Sequence, residues 1–142
     1  SSYETLFRTM KRLKCNYQQL EQQFRRAVFN VVARNHDDHV KNFSFLMNKK
    51  GDWKISPAYD ITYSYSPGGT WTSVHQSSIN GKFDNFKQSD LIDFGKNFGI
   101  KNNKSIIQEV IESVSKWDQL AKEIDIPKTT ISTIKNNLRL KL

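Results

Sequence analysis

Apolar residues recur at helical spacing near both ends of the chain, and this pattern constrains the fold more than any other feature. They fall every three or four positions in residues 3–13 and 17–32, and again in residues 91–99, 106–124 and 131–138. Such a period places one face of each helix against a core. The sequence therefore predicts a helix-rich chain in which helices at both ends supply most of the buried surface.

The middle of the chain predicts a short hairpin followed by a long irregular segment. Residues 43–47 and 53–55 are rich in β-forming side chains and are joined by a turn that contains Gly51. Residues 62–86 are rich in Ser, Thr, Gly, Tyr and Asn, and they show no helical period. In a chain of 142 residues we expect a single α-rich α+β domain, residues 1–142.

Charge and composition restrict the partners and the cellular location that we expect for the chain. The 22 Lys and Arg residues exceed the 14 Asp and Glu residues and give a net charge of +8, which favours polyanionic partners such as nucleotides or nucleic acids. No apolar run approaches the roughly 18 residues of a membrane span, so we expect no membrane partner and a cytoplasmic location. The one cysteine, Cys15, has no partner for an internal disulfide and is expected to be structural.

A dense polar stretch, NHDDHVKN, follows the second helical pattern at residues 35–42. Phosphoryl transfer needs a carboxylate near the attacking hydroxyl, and oxygen ligands that hold Mg²⁺ against the phosphates. Asp37 and Asn42 lie five positions apart, which is the spacing of the catalytic Asp and the metal-binding Asn in protein kinases. Lys41 adds a charge that can face a phosphate oxygen. A folded hairpin brings Asp60, in the sequence SPAYD, beside this loop.

These motifs resemble those of the HipA-like Ser/Thr kinases, toxins of bacterial toxin–antitoxin systems. The family pattern is roughly N-x-D-x-H-x-K-N-x-S followed by P-x-Y-D, and this chain reads NHDDHVKNFSFLMNKKGDWKISPAYDI and later WTSVHQSSINGKFDNF. The resemblance covers residues 17–86 by motif, and the helical remainder agrees in order and size with the family's C-terminal lobe. Relative to ordinary protein kinases, the histidine follows the aspartate, and Ile61 and Thr62 replace Phe-Gly after Asp60.

The resemblance implies the α-rich α+β fold of a protein-kinase-like C-terminal lobe. It divides the chain into a catalytic loop (35–42), a hairpin (43–56), a metal-binding motif (57–60) and a helical tail (89–141). No Gly-rich loop and no strand-borne lysine precede residue 37. We therefore expect the N-terminal nucleotide-binding lobe to be absent from this chain, whether cut away, carried by a separate chain or never present, and the chain alone to be weak or inactive.

The resemblance also implies roles for single residues and for partners. Asp37 corresponds to the catalytic aspartate, Asn42 and Asp60 to the Mg²⁺ ligands, and His39 and Lys41 to supporting positions of the loop, with Lys41 also facing the ATP phosphates. The implied cofactors are ATP and Mg²⁺. The implied partners are a protein substrate, for example an aminoacyl-tRNA synthetase, and a cognate DNA-binding antitoxin.

Three alternatives compete with a kinase lobe that carries out catalysis. Residues 117–139 have apolar spacing close to that of a helix-turn-helix, with Thr129, Thr130 and Lys135 available for DNA contacts. A catalytically silent lobe that binds a separate nucleotide-binding chain would use the same fold. A zinc or other transition-metal site is the third alternative, and its candidate ligands are His36, His39, His75 and Cys15.

Other polar and aromatic residues are expected to have structural roles. We expect His39 to fix the loop by a hydrogen bond, Asn103 to cap the helix that carries residues 106–124, and Trp117 and the apolar stripe of that helix to lie in the core. Four polar residues should tie down the irregular segment, and four aromatic residues should pack rather than stack on substrate. They are Ser77, Ser78, Asn80 and Asn85, and Tyr59, Tyr63, Tyr65 and Trp71.

Overall fold

A computed structural model describes residues 1–142 and contains six α-helices and one β-hairpin. The helices are α1 (Tyr3–Arg12), α2 (Tyr17–Val32), α3 (Gln88–Asn97), α4 (Asn103–Val114), α5 (Trp117–Glu123) and α6 (Lys128–Asn137). The strands are β1 (Phe45–Met47) and β2 (Trp53–Ile55), and a 3₁₀ turn (Val40–Asn42) precedes β1. This helix-rich chain with a two-stranded antiparallel hairpin confirms the predicted α+β class. None of its helices combines the length and the apolar character needed to cross a membrane.

The core forms around α2, as the apolar spacing predicts. The aromatic rings of Phe7, Phe24 and Phe94 come from α1, α2 and α3, and the ring of Phe94 contacts both of the others. Gly95 allows α3 to approach α4, because a Cβ at this position would lie 2.7 Å from the Cβ of Asn103. The polar loop at residues 35–42 therefore leaves a helix that is held in the core on several sides.

The ends of the first two helices follow from their sequence. The Ser2 side chain accepts a hydrogen bond from the Thr5 amide, and the Asn16 side chain accepts one from the Gln19 amide, as N-capping residues do. α2 ends at Val32, and Arg34 adopts a left-handed φ of 56° that turns the chain out of the helix. The polar loop starts at this turn.

The hairpin is antiparallel, with Phe45 opposite Ile55 and Met47 opposite Trp53. Strand β1 is shorter than the strand predicted at residues 43–47, whereas β2 has the predicted bounds. The hairpin is anchored to α2 by the Ile55 amide, which donates to the Gln19 side chain at 2.9 Å. Residues 57–86 contain no named helix or strand, which confirms the predicted irregular segment.

Two predictions for the C-terminal helices are wrong. The helix predicted across residues 106–124 is broken, because α4 ends at Val114 and α5 begins only at Trp117. The break turns the later apolar positions away from the core, and Ile124 is 71% exposed. Asn103 is the first helical residue and not the N-cap; its buried side chain instead donates to the Ile100 carbonyl at 2.8 Å.

Candidate functional site

The polar loop at residues 35–42 divides into a buried side and an exposed side. Asn35, His36 and Asp38 are at most 2% exposed. Asp37, by contrast, has a side chain that is 41% exposed, and Lys41 is exposed as well. Within one short loop, adjacent carboxylates therefore have opposite environments.

Asp38 is the centre of the buried side. Its Oδ2 atom accepts hydrogen bonds from the Tyr3 hydroxyl and from Nδ1 of His75, both at 2.9 Å. Its Oδ1 atom accepts from the backbone amides of Gln76 at 2.8 Å and Ser77 at 3.2 Å. A buried carboxylate is tolerated when it is this fully hydrogen-bonded. Asp38 thus joins α1, the polar loop and the segment at residues 75–77.

The Tyr3 hydroxyl extends this network back to α2. It accepts from Nδ2 of Asn30 at 2.9 Å, and Oδ1 of Asn30 accepts from Nδ2 of Asn35 at 3.0 Å. Burial and the neighbouring negative charge of Asp38 raise the pKa of Tyr3 well above its ordinary value, so Tyr3 remains a donor to Asp38. Asn35 and Asp38 are therefore both connected, through Asn30 and Tyr3, to helices α1 and α2.

Backbone hydrogen bonds fix Asp37 from both sides. Its amide donates to Oγ of Ser64 at 3.0 Å, and its carbonyl accepts from Nδ2 of Asn42 at 2.8 Å. The next carbonyl, that of Asp38, accepts from Oγ of Ser77 at 2.6 Å. The loop is held in one conformation by contacts that leave the Asp37 carboxylate out of the network.

The Asp37 carboxylate faces outward with one ionic neighbour, Nε2 of His39 at 3.5 Å. The other ring nitrogen of His39, Nδ1, is buried and has no hydrogen-bond partner. The predicted loop-fixing hydrogen bond from His39 is therefore wrong, since buried His36, Asp38 and Asn35 do that work.

Asn42 and the segment that carries Asp60 lie next to each other. The Tyr59 hydroxyl donates to the Lys41 carbonyl at 2.8 Å, and Asn42, Tyr59 and Ile61 line one small cavity. Asp60 itself is exposed and adopts a left-handed φ of 53°. The hairpin therefore brings the two predicted metal-binding segments together, as expected from their order in the chain.

The donor atoms at these positions fit Mg²⁺ better than a transition metal. Asn42 uses its amide nitrogen to bond Asp37, which leaves its carbonyl oxygen for a cation, and Asp60 offers an exposed carboxylate. Such hard oxygen atoms are the ligands that Mg²⁺ prefers. No group of three or more His, Cys, Asp or Glu side chains is arranged to hold a metal ion, so the zinc alternative is not supported by the geometry.

The sequence reasoning missed Asp38 and Arg139, and it named His75 only as a candidate zinc ligand. Arg139 lies after α6, and its guanidinium NH1 group contacts Nε2 of His75 at 3.0 Å and the Val31 carbonyl at 2.9 Å. Its NH2 group pairs with Asp84. The doubled aspartate in NHDDH was a signal for Asp38, whereas nothing in the sequence links residue 139 to residue 75.

The serines of the irregular segment tie it down as predicted, but its aromatic residues do not all pack as predicted. Ser77 is buried and bonds the loop, and the Ser78 carbonyl accepts from the Tyr3 amide. Tyr65 packs against His36 at 4.9 Å between ring centres and beneath the Arg34 guanidinium. Trp71 is 75% exposed, so its predicted packing role is wrong.

The helix-turn-helix alternative has the expected helices, α5 and α6, with Asp125 in a left-handed conformation at φ 59° between them. Thr129 and Thr130 are exposed, but Lys135 is held by Asp118 at 2.7 Å. The hydrogen bond from Lys135 lowers the pKa of Asp118. DNA binding by residues 117–139 stays an untested prediction.

Comparison with known proteins gives a family for the chain. The family model of the HipA-like C-terminal domain matches residues 1–117. A protein of Haemophilus influenzae named "Putative kinase" is 25% identical over 84% of this chain. The chain spans 40% of that relative's length. No solved structure matches the chain. Since the family model covers most of the chain, including the loop at residues 35–42 and the Asp60 segment, the chain belongs to the HipA-like family through its C-terminal domain.

Proposed function

We propose that this chain is the catalytic C-terminal lobe of an ATP-dependent Ser/Thr protein kinase. One observation carries the proposal: Asp37 and Asn42 share a loop whose buried side is fixed, while the Asp37 carboxylate and the Asn42 carbonyl oxygen remain free of the network. A phosphoryl-transfer site needs this combination of rigid backbone and available oxygen atoms.

Asp37 orients the acceptor hydroxyl and takes its proton. Its carboxylate accepts the proton as the acceptor oxygen bonds to the γ-phosphorus and the bond from that phosphorus to the leaving ADP breaks. His39, with Nε2 3.5 Å from Oδ1 of Asp37, lies beside this carboxylate. Lys41 extends into solvent beside the loop and supplies positive charge to the phosphate oxygens of ATP.

Asn42 and Asp60 hold Mg²⁺ on the ATP phosphates. The cation neutralises negative charge on the transferred group when it is bound. Asp60 offers an exposed carboxylate at a left-handed position of the segment that lies next to Asn42. The Tyr59 hydroxyl, through the Lys41 carbonyl, keeps the two segments adjacent.

The remaining parts of the proposal rest on the family. The residues that bind the nucleotide base and anchor the phosphates belong to an N-terminal lobe, in the same gene product or on a separate chain. The acceptor is a protein hydroxyl, for example in an aminoacyl-tRNA synthetase, and the kinase acts in the cytoplasm as the toxin of a pair with a DNA-binding antitoxin.

The test uses the natural gene product that contains this chain, with ATP labelled on the γ-phosphate and a mixture of Ser- and Thr-containing peptides. We expect Mg²⁺-dependent transfer to Ser or Thr, identified by mass spectrometry. Asp60→Ala should lower transfer by about 10²-fold or more, because it removes a ligand of the cation that organises the phosphates. Asp52→Ala, a matched change of an exposed hairpin aspartate, should leave transfer unchanged.

Two outcomes would contradict the proposal. Full transfer by Asp60→Ala would remove Asp60 from the site. Absence of labelled peptide with folded wild-type protein, together with ATP hydrolysis or phosphate transfer to another acceptor, would remove the Ser/Thr kinase function while leaving the family assignment intact.

A further inference from the structure

The buried contacts of Asp38 continue through His75 to Arg139, in the C-terminal segment. The side chains of Asp38 and His75 are 0% exposed, and the side chain of Arg139 is 9% exposed. The three residues come from the loop, the irregular segment and the chain that follows α6. The family model ends at residue 117, so Arg139 lies outside the part of the chain that this model describes.

The chemistry of these groups sets the position of one proton. An arginine side chain can only donate hydrogen bonds, so Nε2 of His75 accepts from Arg139. The single proton of the neutral ring must then lie on Nδ1, where it is donated to Asp38. The hydrogen bonds therefore run in one direction, from Arg139 through neutral His75 to the Asp38 carboxylate.

Arg139 also binds the end of α2, from which the loop starts. Its backbone amide donates to the Val32 carbonyl at 2.9 Å, and its guanidinium donates to the Val31 carbonyl. A cation at a helix C-terminus interacts favourably with the carbonyls of the last turn. One residue thus holds both the helix end that precedes the loop and the histidine that holds Asp38.

We propose that Arg139, His75 and Asp38 form a positioning relay for Asp37, through which the C-terminal segment fixes the direction of the catalytic carboxylate. This proposal rests on the proposed function. Asp38 is the residue next to Asp37, and its two carboxylate oxygens and its carbonyl are all bound by the segment at residues 75–77 or by Tyr3. Rotation of Asp38 would therefore turn the Asp37 carboxylate away from an acceptor hydroxyl.

The direction of the relay gives a specific genetic test. Four groups donate to Asp38. In Asp38→Asn, an NH₂ group replaces one carboxylate oxygen. In either orientation of the amide, this group faces two of these donors and cannot accept from them. His75 can relieve its share of the conflict only by moving its proton to Nε2, and there it meets Arg139, which also donates. Asp38→Asn should lower kcat by about 10–100-fold, since small displacements of a reacting group have effects of this size, with little change in KM for ATP.

A second substitution, at residue 139, should relieve this conflict only if the new side chain can accept a hydrogen bond from His75. Glutamine can accept through its side-chain oxygen, so Arg139→Gln gives the shifted His75 proton a partner. Methionine has similar length and offers no comparable acceptor. The relay predicts that Asp38→Asn combined with Arg139→Gln has a kcat several-fold above that of Asp38→Asn alone, whereas the combination with Arg139→Met does not.

Two measurements separate this proposal from its simpler alternatives. Thermal melting sets a temperature at which every variant is folded, and kcat and KM are compared there. Nitrogen-15 NMR of the 142-residue chain shows which ring nitrogen of His75 carries the proton, and it needs no phosphate transfer.

The relay predicts a proton on Nδ1 in the wild type and on Nε2 in the variant that combines Asp38→Asn with Arg139→Gln. A wild-type proton on Nε2, or wild-type kcat in folded Asp38→Asn, would overturn the relay. Equal kcat in the Gln and Met combinations would overturn it as well. A proton on Nδ1 in a gene product that transfers no phosphate would instead remove the proposed function and, with it, the role of the relay in catalysis.

Discussion

The polar loop at residues 35–42 and the Asp60 segment both belong to the site that we propose for phosphoryl transfer, but the fold holds them in different ways. The loop at residues 35–42 is fixed from beneath by Asp38, which is 1% exposed and receives four hydrogen bonds. The segment at residues 57–61 is largely exposed, and its contact with the loop is the Tyr59 hydroxyl on the Lys41 carbonyl.

This difference means that the positions of the Asp37 and Asp60 carboxylates are determined by different parts of the structure. The geometry of Asp37 is set when the chain folds, because its support is part of the core. The position of the Asp60 carboxylate is set by local backbone and side-chain conformation, and the bound cation completes it in our proposal. Substitutions on the buried side of the loop should therefore affect stability and activity together, whereas substitutions at the exposed Asp60 should affect activity alone.

The largest expected effect comes from a matched pair of carboxylate deletions. Asp38→Ala leaves the His75 ring and the Tyr3 hydroxyl without their acceptor and should lower the free energy of unfolding by about 3–5 kcal/mol. Asp60→Gly removes an exposed carboxylate at a left-handed position and should change it by no more than about 0.5 kcal/mol. Urea unfolding measures both, and equal effects would remove the contrast between the two segments.

An effect of intermediate size is expected in the pH dependence of the free energy of unfolding, through His36 on the buried side of the loop. Burial, together with the positive charges of Arg139 and Arg34, lowers the pKa of His36 from 6.5 to about 3. The unfolded chain therefore binds a proton that the folded chain does not between these pH values, and stability falls as the pH falls from 6.5 toward 3.

Asn in place of His36 keeps a donor for the Thr72 carbonyl, which accepts from Nδ1 of His36 at 2.9 Å, and removes the titration. In His36→Asn the loss of stability with falling pH should be shallower by at most about 1.4 kcal/mol per pH unit. Urea unfolding of both proteins across this range measures the difference. Parallel curves would show that His36 is protonated in the folded chain.

The smallest expected effect tests the contact between the two segments. Tyr59→Phe removes the hydroxyl that donates to the Lys41 carbonyl, a partly exposed hydrogen bond of about 1 kcal/mol or less. Stability should change by no more than this amount, and the Mg²⁺ concentration for half-maximal transfer should rise about two- to fivefold as Asp60 loses its alignment. An unchanged Mg²⁺ requirement would show that the hairpin alone aligns Asp60.

Much of the fold could be predicted because it depends on local patterns. The spacing of apolar residues predicted α1 and α2 nearly to the residue, and the turn at Gly51 predicted the hairpin. The break between Val114 and Trp117 was missed, because an apolar stripe continues across it and only tertiary packing shows where the helix turns.

The candidate site divides in the same way. Asp37, Asn42 and Asp60 could be proposed from spacing and from a family pattern, and the hairpin brings their segments together. The roles of Asp38, His75 and Arg139 could not, because their contacts span 37 and 64 residues and no local period encodes such contacts. His39 was assigned a fixing role that belongs to buried neighbours, since the sequence does not show which side of a loop faces the core.

The most direct test of the account is the phosphate transfer rate of Asp37→Asn in the natural gene product that contains this chain. The change replaces one carboxylate oxygen by an amide group in a side chain that is 41% exposed and pairs with His39, so the melting temperature should stay near that of the wild type. We predict a fall in kcat of about 10²–10⁴-fold, the contribution of a general base. Wild-type kcat in this variant would contradict the assignment of Asp37 and, with it, the proposed site.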